Sequence, residues 1–365
     1  MKKKLIIFMP SIEGGGVEKN LFIVSNYLTK QISDVSLISA SKKFKKNFSK
    51  SLNFISPKSN YWDQKSRRIK YIICLILLFK KIIKDKNIIV FAFQANIYCI
   101  LICKLFGIKI ITRSNSAPAG WSKNFFKRII FRFFLNKADQ VMANSKDFIR
   151  SLKHEFGVDA TCIYNPLDKN EIIRKSKIKS KKFFKTKNKL KILNIGRFVD
   201  QKDQITFLKA LNLIKNEIDF EALLVGSGTY KKKLSDFIGK NKLNRKIKLI
   251  KFAENPYPVI KQAEILILSS KYEGLPNVLL EAQVLKKFII SSDCPTGPKE
   301  ILLNGKAGLL FKVGNFKELA NKILYYNKNK KNLIKLVNHG YVKLNRFNYN
   351  LNLKKYLELI KKVKI

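Results

Sequence analysis

The chain is poor in histidine, with two in 365 residues, and its five cysteines are an odd number scattered among Ile, Leu and Phe. Zinc sites need clustered thiolates and imidazoles at fixed spacing. Cys99 and Cys103 stand four apart on an apolar segment, and His154 and His339 lie far from them. No zinc set is expected, and the thiols read as buried and reduced in a cytosolic protein. Long apolar runs are also missing. The start, Met1-Lys2-Lys3-Lys4-Leu5-Ile6-Ile7-Phe8-Met9-Pro10, is too short in its apolar part for a signal peptide and reads as a first strand. Residues 71–79 are half of what a membrane span needs, and 88–111 is broken by Gln94, Asn96, Lys104 and Gly107. No transmembrane helix is expected. Glycine (16) and proline (9) are too few for collagen-like or linker sequence.

Acidic residues are scarce as well: 25 against 74 Lys and Arg, a net charge of +49. Such an excess attracts polyanions, whether phosphates, acidic lipid surfaces or nucleic acid. Ten of the basic residues are Arg and the rest Lys. A general bias toward Lys inflates charge without any specific site, so the charge alone selects no partner. The lysines are spread over the whole chain, without a zinc finger, RNP-like aromatics or one basic recognition helix, and no specific nucleic acid is expected. What the chain does have is apolar content, 46% hydrophobic residues with 27 Phe. That excludes a disordered chain, and the length suits two cores rather than one.

Short apolar runs at 5–9, 35–39, 88–91, 109–112 and 140–143 alternate with helix-length segments at 17–28, 68–84, 97–106 and 124–135. Fully apolar strands separated by helices indicate a parallel sheet covered on both faces. The pattern lapses over 169–190, a Lys-rich stretch that reads as a linker region. It resumes with strands at 191–195, 221–225, 247–250, 265–269 and 288–291, and with helices at 204–215, 230–241, 256–263, 278–286 and 298–304. The fold class is therefore α/β, with two doubly wound halves whose ligands lie beyond the carboxyl ends of strands.

Five segments carry candidate chemistry. Glu13-Gly14-Gly15-Gly16 follows the first strand and opens a helix, so that backbone can approach a ligand and the helix dipole favours an anion; any tight strand-to-helix turn needs similar residues. Asn194-Ile195-Gly196-Arg197, with Lys202 five residues on, can aim a guanidinium fork and an ammonium at one anion. Glu273-Gly274-Leu275-Pro276-Asn277-Val278-Leu279-Leu280-Glu281 begins a helix, with Asn277 as the expected N-cap. Glu281 then shares an apolar face with Val278, Ala282 and Leu285, where an unpaired carboxylate is costly; sugar hydroxyls donating to it would explain it. Asp293-Cys294-Pro295-Thr296-Gly297-Pro298 starts another helix and offers Thr296, Gly297 and amides. Finally, Phe125, Phe126, Ile129, Ile130, Phe133 and Phe134 alternate with Lys123, Lys127, Arg128, Arg132 and Lys137. That helix suits an anionic bilayer surface, or a core helix with a charged edge.

The run from Phe252-Ala253-Glu254-Asn255-Pro256 through Glu273 to Glu281-Ala282 resembles the signature of family-four retaining glycosyltransferases, whose hallmark is two glutamates separated by seven residues. Gly196-Arg197 with Lys202, the triple glycine and the Asp293–Pro298 loop fit in the same order. The resemblance implies two Rossmann-like domains facing each other across a cleft: 1–168 on the acceptor side, 169–190 as linker, 191–348 binding the nucleotide sugar, and 349–365 as a helix packing back on the first domain. It implies a transferase moving a hexose or N-acetylhexosamine from a UDP-sugar to a glycan or lipid-linked glycan, with retention, in surface polysaccharide biosynthesis such as lipopolysaccharide. The alternative is a nucleotide-sugar 2-epimerase of the same fold.

By the same resemblance Glu281 binds ribose hydroxyls, Arg197 and Lys202 the diphosphate, Glu273 the donor sugar, and Gly274, Leu275, Pro276 and Asn277 its phosphate side. Gly15 and Gly16 also touch the donor, and Phe252 and Ala253 lie near the base. Glu273, Arg197 and Lys202 are the expected catalytic residues. No cofactor is expected: fixed cations and amides can stabilise the leaving diphosphate without a metal, and the nucleotide sugar is a substrate. Many relatives carry a histidine where this chain has Thr112-Arg113-Ser114-Asn115-Ser116. Asn and Ser cannot act as acid–base groups near neutral pH, so Arg113 and Asn115 are acceptor-side candidates and proton transfer falls to the leaving phosphate. The expected location is cytoplasmic, peripheral on the inner face of the cell membrane.

Overall fold

A computed structural model describes residues 4–115, 124–186, 188–251 and 255–364. The contacts divide the chain into two units, Met1–Pro166 with Tyr349–Ile365, and Leu167–Asn348.

Among the described residues the first unit is built on seven strands: β1 (Lys4–Phe8), β2 (Val35–Ile38), β3 (Asn53–Ile55), β4 (Ile88–Ala92), β5 (Lys109–Ser114), β6 (Gln140–Ala143) and β7 (Thr161–Cys162). They pair in the order β3-β2-β1-β4-β5-β6-β7, and every pair is parallel. The central strands are buried on both faces, which is why they read as unbroken apolar runs. Among the described residues its helices up to residue 156 are α1 (Gly16–Gln31), α2 (Arg67–Lys84), α3 (Asn96–Leu105), α4 (Phe125–Lys137) and α5 (Lys146–Phe156). Leu21, Val24 and Leu28 of α1 cover one face of the sheet. The other face is covered by Cys74, Leu78 and Ile82 of α2, Cys99 and Cys103 of α3, and Phe148, Leu152 and Phe156 of α5. Asn124 caps α4, its side chain accepting from Lys127 N at 3.1 Å.

The second unit carries β8 (Leu190–Ile195), β9 (Phe220–Val225), β10 (Ile247–Ile250), β11 (Ile265–Leu268), β12 (Phe288–Ser292) and β13 (Leu309–Phe311), in the order β10-β9-β8-β11-β12-β13. Its helices are α6 (Lys169–Ser176), α7 (Gln204–Leu213), α8 (Lys231–Lys240), α9 (Tyr257–Gln262), α10 (Asn277–Val284), α11 (Pro298–Ile301) and α12 (Phe316–Val342). The Lys-rich stretch 169–190, read above as a linker, belongs to this unit instead. It starts with α6, packed on α9 and α10, and Phe184 is buried. The Glu221 carboxylate accepts from the backbone N–H groups of Lys185 at 2.8 Å and Thr186 at 3.2 Å. Few apolar residues suffice there because Ile172 and Phe184 are both fully used.

The last helix, α13 (Tyr349–Lys364), returns to the first unit and packs on α1 and β5. Tyr356, Leu359 and Ile360 join the core beside α1. Two parallel sheets with helices on both sides give the α/β, two-Rossmann class expected from the strand–helix alternation.

Candidate functional site

In each sheet the strand order reverses at one place, and in such folds ligands bind beyond the carboxyl ends of the strands there. In the second sheet the reversal falls between β8 and β11. Gly196 and Arg197 leave β8, and 269–273 leave β11, so both motifs converge at that point. Asn194 ties the two strands, its Nδ2 donating to Ile267 O at 2.9 Å.

The turn after β8 is built to present Lys202. A short 3-10 turn, Asp200–Lys202, ends at Asp203, whose left-handed backbone (φ 43°) reverses the chain into α7. Asp203 caps α7 through Thr206. Ser269 Oγ donates to Lys202 O at 3.0 Å, and Gln201 Nε2 donates to Tyr272 O at 2.9 Å. Held this way, Lys202 Nζ meets Glu273 Oε1 at 2.5 Å, with side chains 17% and 7% exposed. These partners lie 71 residues apart in sequence. Arg197 is exposed, and its carbonyl accepts from Gln204 Nε2 at 2.9 Å.

Glu273 begins the turn into α10, with Gly274, Leu275 and Pro276 buried behind it. Pro276 occupies the N-cap position, and Asn277, expected as the cap, is the first helical residue. Pro276 has no N–H, so the amides this turn can offer are those of Gly274, Leu275 and Asn277. Glu281 sits one turn into α10, buried at 7%. The loop before α11 locks onto the same turn. Thr296 Oγ1 donates to Glu273 O at 2.6 Å, so Thr296 braces the turn. Gly297 approaches so closely that a Cβ there would lie 2.1 Å from Gly274 O. Gln201 and Ser269 are supports that motif reading missed, and Thr296, read there as offering its hydroxyl to a ligand, donates it to the turn. Each acts by a bond between loops distant in sequence, and no local pattern marks such a bond.

Cys294, on this loop, is buried, and burial with Glu273 nearby pushes its thiol up to about 12. Burial raises Cys74 and Cys103 in the same way, each to about 12. A disulfide-exchange reagent at pH 8 is therefore expected to leave these three unmodified in the native protein and to titrate them only after unfolding. Prompt native labelling of Cys294 would contradict this packing. Among the described residues no group of three or more His, Cys, Asp or Glu side chains is placed to hold a metal ion.

In the first unit the order reverses at β1, flanked by β2 and β4. Gln94, after β4, clasps Ser11, after β1, through two bonds of 3.1 and 2.9 Å. The glycine turn then enters α1 with Gly15 at the N-cap. Its anion is the chain's own: the buried Glu18 carboxylate accepts from Gly15 N at 3.0 Å and Glu13 N at 3.4 Å. Gly16 is the first residue of the helix and is exposed.

Arg113, read from sequence as an acceptor-side group, is enclosed, at 1% exposure. Its Nη2 donates to Asn165 Oδ1 at 2.9 Å, and the guanidinium lies 5.0 Å from the Phe93 ring centroid. Burial lowers its pKa, opposed by Tyr356 and Glu18. Arginine is rarely buried so fully. Half-buried Asn115 donates from Nδ2 to Phe93 O at 2.7 Å, while its Oδ1 has no hydrogen-bond partner among the described residues. Phe252 and Ala253 lie outside the described residues.

With this geometry in place, the comparisons decide the family. The sequence profile for Glycosyl transferases group 1 matches residues 175–364, and that for Glycosyltransferase Family 4 matches residues 14–171. The chain belongs to the group 1 glycosyl transferases. It is 27% identical over 254 residues (66% of this chain, 67% of the relative) to a Campylobacter jejuni enzyme. That relative is N-acetylgalactosamine-N,N'-diacetylbacillosaminyl-diphospho-undecaprenol 4-alpha-N-acetylgalactosaminyltransferase. A second relative from the same bacterium is 25% identical over 380 residues, 99% of both chains. It is GalNAc-alpha-(1->4)-GalNAc-alpha-(1->3)-diNAcBac-PP-undecaprenol alpha-1,4-N-acetyl-D-galactosaminyltransferase. Among solved structures, Anabaena HepE in complex with UDP and glucose superposes with a TM-score of 0.78 at 16% identity, covering 99% of this chain and 100% of that one. The glycosyltransferase therefore has the fold and family that its spaced glutamates imply.

Proposed function

We propose that this glycosyltransferase moves a hexose or N-acetylhexosamine from a UDP-sugar to a glycan or lipid-linked glycan, with retention, in surface polysaccharide or glycan biosynthesis at the inner face of the cell membrane. The observation that carries the reading is the Lys202–Glu273 pair at the switch point of the second sheet. A half-buried ammonium held by a carboxylate can face the departing phosphate while the carboxylate accepts from sugar hydroxyls. The carrier-linked acceptors named for the Campylobacter relatives support the acceptor class, and the UDP held by HepE supports the donor class.

In this mechanism Glu281 accepts hydrogen bonds from the ribose hydroxyls. Arg197 and Lys202 neutralise the diphosphate, with the amides of Gly274, Leu275 and Asn277 on its phosphate side. The bond from the anomeric carbon to the phosphate oxygen breaks, and its electron pair stays on the phosphate. The acceptor oxygen bonds to the same face of that carbon, and its proton passes to the leaving phosphate. Oriented cations and amides stabilise this developing charge because they need no reorganisation. Asn115 Oδ1 and the enclosed Arg113 mark the acceptor side, on the first unit. Helix α4, with its basic and aromatic side chains, holds the enzyme at an anionic membrane.

The test is a thermal-shift panel of nucleotide sugars, since a ligand bound only by the folded state raises its stability. UDP-sugars are expected to raise the melting temperature, and Glu281→Ala and Arg197→Ala to abolish the rise. A shift confined to other nucleotides, or a product formed without acceptor, would overturn the reading. The proposal also runs without a divalent metal, so EDTA is expected to leave the transfer rate unchanged; loss of activity restored by magnesium would refute that part.

A further inference from the structure

Helices α2, α3 and α4 lie side by side over one face of the first sheet, with α3 touching both neighbours. Each turns one stripe inward and leaves a second apolar stripe outside. On α2 the inner residues Cys74, Leu78 and Ile82 are fully buried, while Ile69, Ile72, Ile76, Phe79 and Ile83 are 39–62% exposed. Those five recur at spacings of three and four, the repeat of one helix face. On α3, Tyr98, Leu101 and Leu105 point outward at 43–71%. On α4, Phe125, Phe126, Ile129, Ile130 and Phe133 are 49–74% exposed, and Leu135 is the buried residue of that helix. Between α2 and α3 lies a shallow, open groove lined by Ile72, Leu75, Ile76, Phe79 and Ile102, with no polar side chain. Contiguous apolar surface on this scale marks an interaction site.

The charges choose the occupant. The three helices contain no acidic residue and eleven Lys and Arg. Lys104 and Arg128 have carboxylate partners at their edges, Asp139 at 2.5 Å and Glu155 at 3.6 Å; Lys70 is buried. The others, among them Arg67, Arg68, Lys80, Lys84, Lys127 and Arg132, are exposed on the same helices. A second copy seated on this face would set one basic rim against another. An anionic bilayer offers acyl chains to the stripes and negative headgroups to the rim at once.

We infer that α2, α3 and α4 form a single monotopic membrane-docking face, in which the α2–α3 groove receives a lipid acyl chain. This deepens the membrane contact assigned above to α4 and rests on it. The experiment measures binding of the full chain to phosphatidylglycerol–phosphatidylcholine vesicles and to pure phosphatidylcholine vesicles. Ile72→Glu with Ile76→Glu is expected to weaken binding to the anionic vesicles by about tenfold or more, leaving the UDP thermal shift unchanged. Leu101→Glu with Leu105→Glu gives the same readout from α3 should the first pair lower the melting temperature. If both pairs bind as the parent does while Phe126→Glu with Ile130→Glu does not, the three-helix face is wrong and α4 alone stands. If the parent binds neither vesicle, the α4 contact falls with it, whereas the UDP shift still judges the transferase reading. A dimer in gel filtration that Ile72→Glu with Ile76→Glu makes monomeric would assign the face to a second copy and overturn the inference.

Discussion

Lys202→Met is expected to lower the rate of sugar transfer by about 10²–10³-fold, the range seen when one group stabilising transition-state charge is removed. The substitution keeps an unbranched side chain out to Cε and removes the ammonium. Its second effect is on stability. Glu273 is 7% exposed and loses its cation, and breaking such a pair from one side costs about 3 kcal/mol. The two effects separate in the double variant Lys202→Met with Glu273→Gln. Losing both charges should recover most of the melting temperature, because no unpaired carboxylate stays buried, while turnover stays low. Steady-state rates and thermal melts of the parent and these two variants check this. A single variant with parental turnover would remove Lys202 from the chemistry.

The second large effect is expected at Gly297→Ala. The residue has φ 86° and ψ −65°, a region that side chains with a Cβ avoid. The new atom would also lie 2.1 Å from Gly274 O and 2.9 Å from Pro276 Cδ, contacts that real Cβ atoms do not make. Backbone strain and overlap together should cost about 3 kcal/mol or more. The loop can relieve them only by leaving the Glu273–Gly274 turn, so the UDP thermal shift should vanish along with the stability. Thr296→Val provides the comparison. It removes the 2.6 Å bond to Glu273 O without overlap, and a loss of about 1–2 kcal/mol is expected. A Gly297→Ala protein that melts with the parent and still responds to UDP would show that the turn does not need this brace.

The legible part of this fold was the part buried on both sides. Strands such as β4 and β11 announce themselves because every residue is apolar. The edge strand β3 and the two-residue β7 do not: their residues are half exposed, and their paired backbone leaves no trace in side-chain pattern. Helix α5 carried a usable signal, Phe148, Leu152 and Phe156 four apart, behind a Ser145 cap. At the site, the motifs located the loops but not their bonds. Nothing in the sequence joins Lys202 to Glu273 or Thr296 to the Glu273 carbonyl. The surroundings of Arg113 were not legible either: only the tertiary structure shows Asn165 and Phe93 enclosing it.

The return of α13 to the first unit has a consequence for how the protein is made. During synthesis on the ribosome, Met1–Pro166 emerges first yet lacks Tyr356, Leu359 and Ile360, which close its core beside α1. The stretch Leu167–Asn348 is complete in itself and can fold while the earlier segment still waits. The half translated first is thus finished last, and nascent chains stalled before Tyr349 should expose the apolar flank of α1 to chaperones.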